Sequence, residues 1–179
     1  MSAMLAPRSS NMEELFTAWG FKRSNTDVVA DRKTATKVDF GAKTDYQPID
    51  YVLWQKLVKD NFNKDERITS ALRQLNVATP GRFEILDEHT TNITPLFSSS
   101  NEAMLVDKRV VQFRNDPVAL LTKYQAGTIS YPMAIRAQGE VKTAFPDGAK
   151  TVSGDIKKMP GHLDNAKQAI DVIAIADVD

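Results

Sequence analysis

Asp116-Pro117 is the strongest structural punctuation in the chain. An Asp just ahead of a helix can accept a bond from an orphan amide of the first turn, and a Pro in the first helical position loses nothing by lacking an N–H. Leu120, Leu121 and Tyr124 follow at three- and four-residue spacing, and Gly127 offers a left-handed stop. The pattern predicts a helix over 117–126. It carries no chemistry of its own.

Two more segments read as helices by the same rule. Ile49, Val52, Leu53, Leu57 and Val58 recur at helical spacing behind Asp45, Gln47 and Pro48, which predicts a helix over 48–61. Trp54 belongs to its core face. Asn63 to Glu66 has cap spacing, and Ile68, Leu72 and Leu75 sit at i, i+4 and i+7. A second helix over 64–76 would complete a helical hairpin before Pro80-Gly81 breaks the chain. Near the start, Ser10 to Glu13 resembles a capping box, Leu15, Phe16 and Trp19 share a face, and Gly20 ends a short helix at 11–19. Phe16 and Trp19 are core or docking contacts, since aromatics mainly supply buried area. Leu163 to Ile170 is helical by content.

The remainder is polar or β-like. Residues 1–9 form an arm, and 22–45 mix Lys and Arg with Asp and Thr, so this region reads as extended and held, if at all, by a partner. Short strands are expected at 82–86, 128–131, 134–137 and 141–145, and a Ser/Thr-rich loop with Pro95 at 90–101. Residues 104–113 fit strand and helix equally. From Ile170 the tail alternates apolar residues with Ala and Asp, as a helix end or an edge strand would. The whole is α-rich with some β (α+β): short helices joined by extended polar segments behind an extended N-terminal arm. It divides into an arm at 1–45, a helical core region with an irregular insertion at 46–127, and a small β/turn segment with a terminal helix or strand at 128–179.

Composition removes several functions. The 179 residues hold no cysteine, which excludes disulfides, thiolate metal sites and thiol nucleophiles. Lys+Arg and Asp+Glu both number 23, which argues against nucleic-acid binding through bulk charge. No apolar run reaches the roughly 18–20 residues of a membrane span, and residues 1–8 do not read as a secretory signal, so a soluble, intracellular protein is expected. No Gly-x-Ser-x-Gly, phosphate loop or dinucleotide fingerprint occurs. Glu84, Asp87, Glu88 and His89 form the one local cluster of metal-capable side chains, in a spacing that matches no metal motif. Neither an enzyme nor a cofactor is expected.

Two ordered stretches carry a family resemblance. Asp39-Phe40 and Asp45-Tyr46 precede the expected helix that reaches Phe62. Leu105, Lys108, Phe113 and Asn115-Asp116-Pro117 lead into the next. Together they resemble the internal scaffolding protein of gokushovirus-type microviruses, and Asn11 to Leu15 is similar to its short N-terminal helix. Departures are the insertion that 63–100 would form, Val106 where the family has a proline, no Thr-Gly after the first helix, and nothing similar beyond 128. The resemblance implies a non-enzymatic, multi-copy phage virion assembly protein that binds the major capsid protein in the host cytoplasm or procapsid. Its contact residues would be Phe16, Trp19, Phe40, Tyr46, Phe62, Phe113, Asp116 and Pro117. Rival readings are a permanent subunit of a virion or another large assembly, a small metal-dependent enzyme using Glu84, Asp87, His89 and His162, and a nucleic-acid binder using 22–43.

Overall fold

A computed structural model describes residues 12–113, 116–150 and 154–176. Along them run α1 (Glu13–Ala18), β1 (Phe21–Arg23), β2 (Asp27–Ala30), β3 (Ala35–Val38), β4 (Ile49–Val58), β5 (Gln74–Ala78), β6 (Phe83–Ile85) and β7 (Asn92–Ser98). They continue with β8 (Met104–Asp107), α2 (Lys108–Phe113), α3 (Pro117–Thr122), β9 (Pro132–Gly139), β10 (Ala149–Lys150), β11 (Ile156–Lys157) and β12 (Ile170–Ile175). The α-rich expectation is corrected: the fold is β-rich, and the three α-helices among the described residues have six residues each. No helix of the described residues is long and apolar enough to cross a membrane.

The main correction falls on 48–61, which is strand β4 followed by a short 3-10 turn. From Leu53 onward its burial has period two: Leu53, Gln55 and Leu57 point inward, while Trp54, Lys56 and Val58 are exposed. Fully buried Gln55 is satisfied there, its Nε2 donating to Val29 O (2.8 Å) and its Oε1 accepting from Thr34 Oγ1 (3.4 Å). Trp54, expected in the core, is 45% exposed. The expected helix over 64–76 is turn and then β5, which pairs antiparallel with β4 from Trp54↔Ala78 to Val58↔Gln74. The hairpin is therefore β, and Ile68 and Leu72 face solvent. β-branched and aromatic side chains in 49–58 favour this pleated packing.

The polar N-terminal region finds its partners within the chain. β1 pairs with β6, β2 with β8, and β3 with β4, all antiparallel. Val29 and Ala30 are wholly buried, so few apolar residues suffice to hold this stretch. α1 lies inside the expected 11–19, and Gly20 ends it at φ +94°; a Cβ there would stand 2.3 Å from His89 Cβ. The expected arm at 1–9 and the Ser10-Asn11 cap lie outside the described residues.

β7, β9 and β12 form a three-stranded antiparallel sheet with β9 central. The loop expected at 90–101 thus contains strand β7. Pro95 sits opposite Ile135 of β9. Ala176 N donates to Met133 O (2.9 Å), and the register continues Ala174↔Ile135. By antiparallel alternation Ile135 directs its backbone bonds to β12, so Pro95 removes no ladder bond. Residues 128–131 form no strand, and 141–143 make only a bridge between Lys142 and Asn165. Residues 163–169 are irregular rather than helical, with a bridge at Asn165, and Ile170 begins β12. Residues 104–113 are strand and helix in succession, β8 and α2. Asp116 caps α3, its Oδ1 accepting from Val118 N (3.1 Å) and Ala119 N (3.0 Å). Gly127 does not end that helix; it lets the chain pass Ala103 O, which an added Cβ would meet at 2.3 Å.

Candidate functional site: a groove on the outer edge of β12

Aromatic packing builds one wall of the site. Phe16 of α1 stacks on Phe21 of β1 at 4.9 Å, Trp19 lies 6.5 Å from the same ring, and Phe83 of β6 meets it edge-on at 5.6 Å. This block rests on Ile135, Ala137 and Ala174 of the β9–β12 pair. The geometry is favourable beyond its area, since aromatic pairs prefer offset and edge contacts. The two layers are pinned by one backbone bond, Gly81 N to Ala176 O (2.7 Å). Beyond that pin lies a groove of about 820 Å³. Met12, Phe16 and Trp19 line it from the α1 side, and Val172, Ile173 and Ile175 from β12.

β12 reaches the groove edge-on. Residues 170, 172 and 174 share the parity of Ala176 and face β9, so Asp171, Ile173 and Ile175 direct their N–H and C=O groups outward. No strand among the described residues pairs with that outer edge. Ile173 and Ile175 are 46% and 52% exposed.

Arg82 and Arg136 stand near the groove in ion pairs, while Glu13, Arg23, Asp27 and Lys108 line it. Arg82 Nε donates to Asp27 Oδ1 (2.9 Å), its guanidinium also pairs with Glu84, and it lies 5.7 Å from the centre of the Tyr131 ring. Burial opposes its charge, but the bonds to Asp27 and Glu84 outweigh that and raise the arginine pKa above its usual value. On the β9–β12 face Arg136 donates to Asp171 (2.6 Å) and Glu66 (3.0 Å), and Gln138 Nε2 adds a bond to Asp171 (3.1 Å). The bond from Arg136, ahead of its charge, holds the Asp171 carboxyl below the usual range. β12 gives the groove an apolar, hydrogen-bonding edge, and Glu13, Arg23 and Lys108 add charge elsewhere on its lining.

Of the contact residues expected from the resemblance, the structure brings Phe16 and Trp19 into this groove, and Arg23 and Asp27 of the 22–43 stretch line it as well. Phe40 packs edge-on to Tyr51 at 5.0 Å in another cluster. Tyr46 is 71% exposed in a turn where Asp45 and Tyr46 both have positive φ. Phe62 is buried against Phe97, Phe113 is 80% exposed at the end of α2, Asp116 caps α3, and Pro117 is buried. Glu84 is engaged by Arg82, His89 Nδ1 lies 2.7 Å from Thr91 O, and His162 Nε2 lies 3.6 Å from Asp164. Among the described residues no three His, Asp or Glu side chains converge as metal donors. Sequence reasoning missed Val172, Ile173 and Ile175 as site residues, although the alternation from Ile170 was their signal.

A family model described as an ABC-type uncharacterized transport system, the ABC-type transport auxiliary family, matches residues 1–179. No curated protein and no solved structure matches the chain. The match overturns the microvirus resemblance and, with it, the virion-assembly function and the capsid partner. The physical reason is visible in the motifs. Asp39-Phe40 and Asp45-Tyr46 flank a 3-10 turn, with Asp39 Oδ1 accepting from Gly41 N (2.8 Å), and lead into strand β4 instead of a helix. Asp116-Pro117 is helix-start chemistry that any family can use.

Proposed function

Because the chain belongs to the ABC-type transport auxiliary family, we propose that it is a non-catalytic accessory component of an ABC-type transport system. It acts by binding another component of that system in the groove beside β12. The observation that carries this reading is the outer edge of β12, where Ile173 and Ile175 present apolar side chains and outward backbone groups. An open strand edge flanked by aromatic and aliphatic side chains suits protein contacts better than acid–base chemistry, which needs a titratable group aimed at a substrate. ATP binding in such systems needs a Gly-rich loop ending in Gly-Lys-Ser/Thr, and no Gly-Lys pair occurs in this chain. Energy coupling is therefore assigned to other subunits.

Affinity purification of the tagged chain from its native cells, after mild crosslinking, tests the proposal. Mass spectrometry should identify an ATP-binding or membrane-spanning transporter subunit, and Ile175→Glu should cut its recovery at least tenfold. Recovery without any transporter subunit would sink the accessory role.

A further inference from the structure

We infer that the outer edge of β12 is a strand-addition site, filled by an extended segment of a partner component that is apolar on the face it turns toward Phe16 and Trp19. The inference rests on the binding role proposed above and specifies its mode. Ile173 and Ile175 each turn an N–H and a C=O away from β9. These groups alternate along the strand, and an extended backbone laid beside them meets all of them in register. The groove fixes where that backbone lies. Gly81, bonded to Ala176 O, closes one end, so the added strand runs beside Asp171 to Ile175 and stops there.

The groove also selects the side chains. One face of an added strand would meet Met12, Phe16 and Trp19, and the other would lie beside Ile173 and Ile175. Asp171 is the sole ionisable residue of β12, and Arg136 and Gln138 engage it. β12 itself therefore presents no unpaired charge, and the charges that line the groove, Glu13, Arg23, Asp27 and Lys108, come from other elements. β12 also lacks the lysine, proline or bulge that commonly protects an exposed edge. The opposite edge of the same sheet has such protection: Pro95 and register breaks interrupt β7, and Asn63 N–H donates to Leu96 O (2.9 Å).

The test uses the full chain and a capped Lys-Val-Thr-Val-Ile-Val-Lys peptide, beside the same peptide N-methylated at alternate residues. Amide hydrogen exchange is read by NMR at micromolar protein. In the free protein the Ile173 and Ile175 amides should exchange quickly. The plain peptide should slow both at least tenfold, and the N-methylated peptide should not. Ile173→Pro removes an N–H that makes no bond to β9, so it should keep the circular dichroism spectrum and lose the peptide. Binding of both peptides alike would overturn the inference, as would failure of the plain peptide to bind. Slow exchange in the free monomer would also overturn it, as would slowing that tracks a concentration-dependent dimer, because the edge would then be closed by this chain or a second copy. If Ile173→Pro still captures a transporter subunit, the strand mode falls while the accessory role stands. If the plain peptide binds as expected but no transporter subunit is captured, the accessory role falls and the edge remains a strand site.

Discussion

β7 and β12 flank the same central strand, β9, yet their outer edges are finished in opposite ways. β7 carries Pro95, shifts register at Phe97 and Ser98, and is covered by the turn after β4. There Phe62 bridges to Phe97, Asn63 Nδ2 donates to Pro95 O (3.0 Å), and Asn61 Nδ2 donates to Ser98 O (3.0 Å). β12 is regular from Ile170 to Ile175, carries no such cover among the described residues, and opens on a groove. An exposed regular edge invites pairing with other chains. A sheet that closes one edge with side-chain amides and leaves the other regular marks the regular one as the edge for a partner.

The contrast can be broken by truncation on each side. Leu96→Ala empties a site packed among buried Phe62, Phe97 and Met133 and should cost about 2–5 kcal/mol in urea unfolding. Ile173→Ala, on a half-exposed side chain, should cost under about 1 kcal/mol. Equal losses would mean that the two edges are covered alike. An intermediate effect is expected at the cover itself. Asn63→Ala removes the bond to Pro95 O and the one that Asp65 N donates to Asn63 Oδ1 (3.0 Å), at about 1–3 kcal/mol. Amides of β7 should then exchange faster, and unchanged exchange there would show that the turn is not its cover.

Ile175→Lys should leave stability within about 0.5 kcal/mol, because the side chain is already half in water. It should also lower any self-association seen by light scattering, as edge charges do. The smallest effect belongs to acid. The hydrogen bond from Arg136, then its charge, lowers the Asp171 pKa. Its contribution is therefore complete above about pH 4, where the unfolded carboxyl is ionised, and is lost as pH falls through the lower folded value. The stability gap between wild type and Asp171→Asn should be full near pH 6 and shrink below pH 4. A gap that widened in acid would reverse the assignment. Asp107 behaves alike, since its bonds from Arg109 hold it at about 2.

Local signals survived folding where chemistry at one residue decides the backbone. Asp116 caps α3 and Gly20 ends α1 because one side chain or one missing Cβ suffices. Periodicity misled where the core broke the polar rule. In β4 a buried Gln55 and an exposed Trp54 and Val58 erased the alternation and left a helical-looking spacing of Val52, Leu53 and Leu57. Only the long-range bonds of Gln55 to Val29 and Thr34 make that arrangement stable, and no local window contains them. Ser/Thr content and Pro95 hid β7, since β-branched Thr suits a strand and Pro is tolerated where no ladder bond is lost. For the site, the alternation in 170–175 was open to reading as an edge strand, but its groove required α1, which packs from the far end of the sequence.

The pairings of the first strands have a consequence for biosynthesis. Phe21 meets Ile85, and Val28 meets Val106, so β1 and β2 have no ladder until those later segments are made. At about 5–20 residues per second on the ribosome, Val28 and Val29 wait several seconds beside the ribosome or with a chaperone before they are buried. Synthesis that stalls before Val106 would leave these apolar strands to aggregate or be degraded, so yield in the cell should respond to elongation rate more than to changes near Ile175.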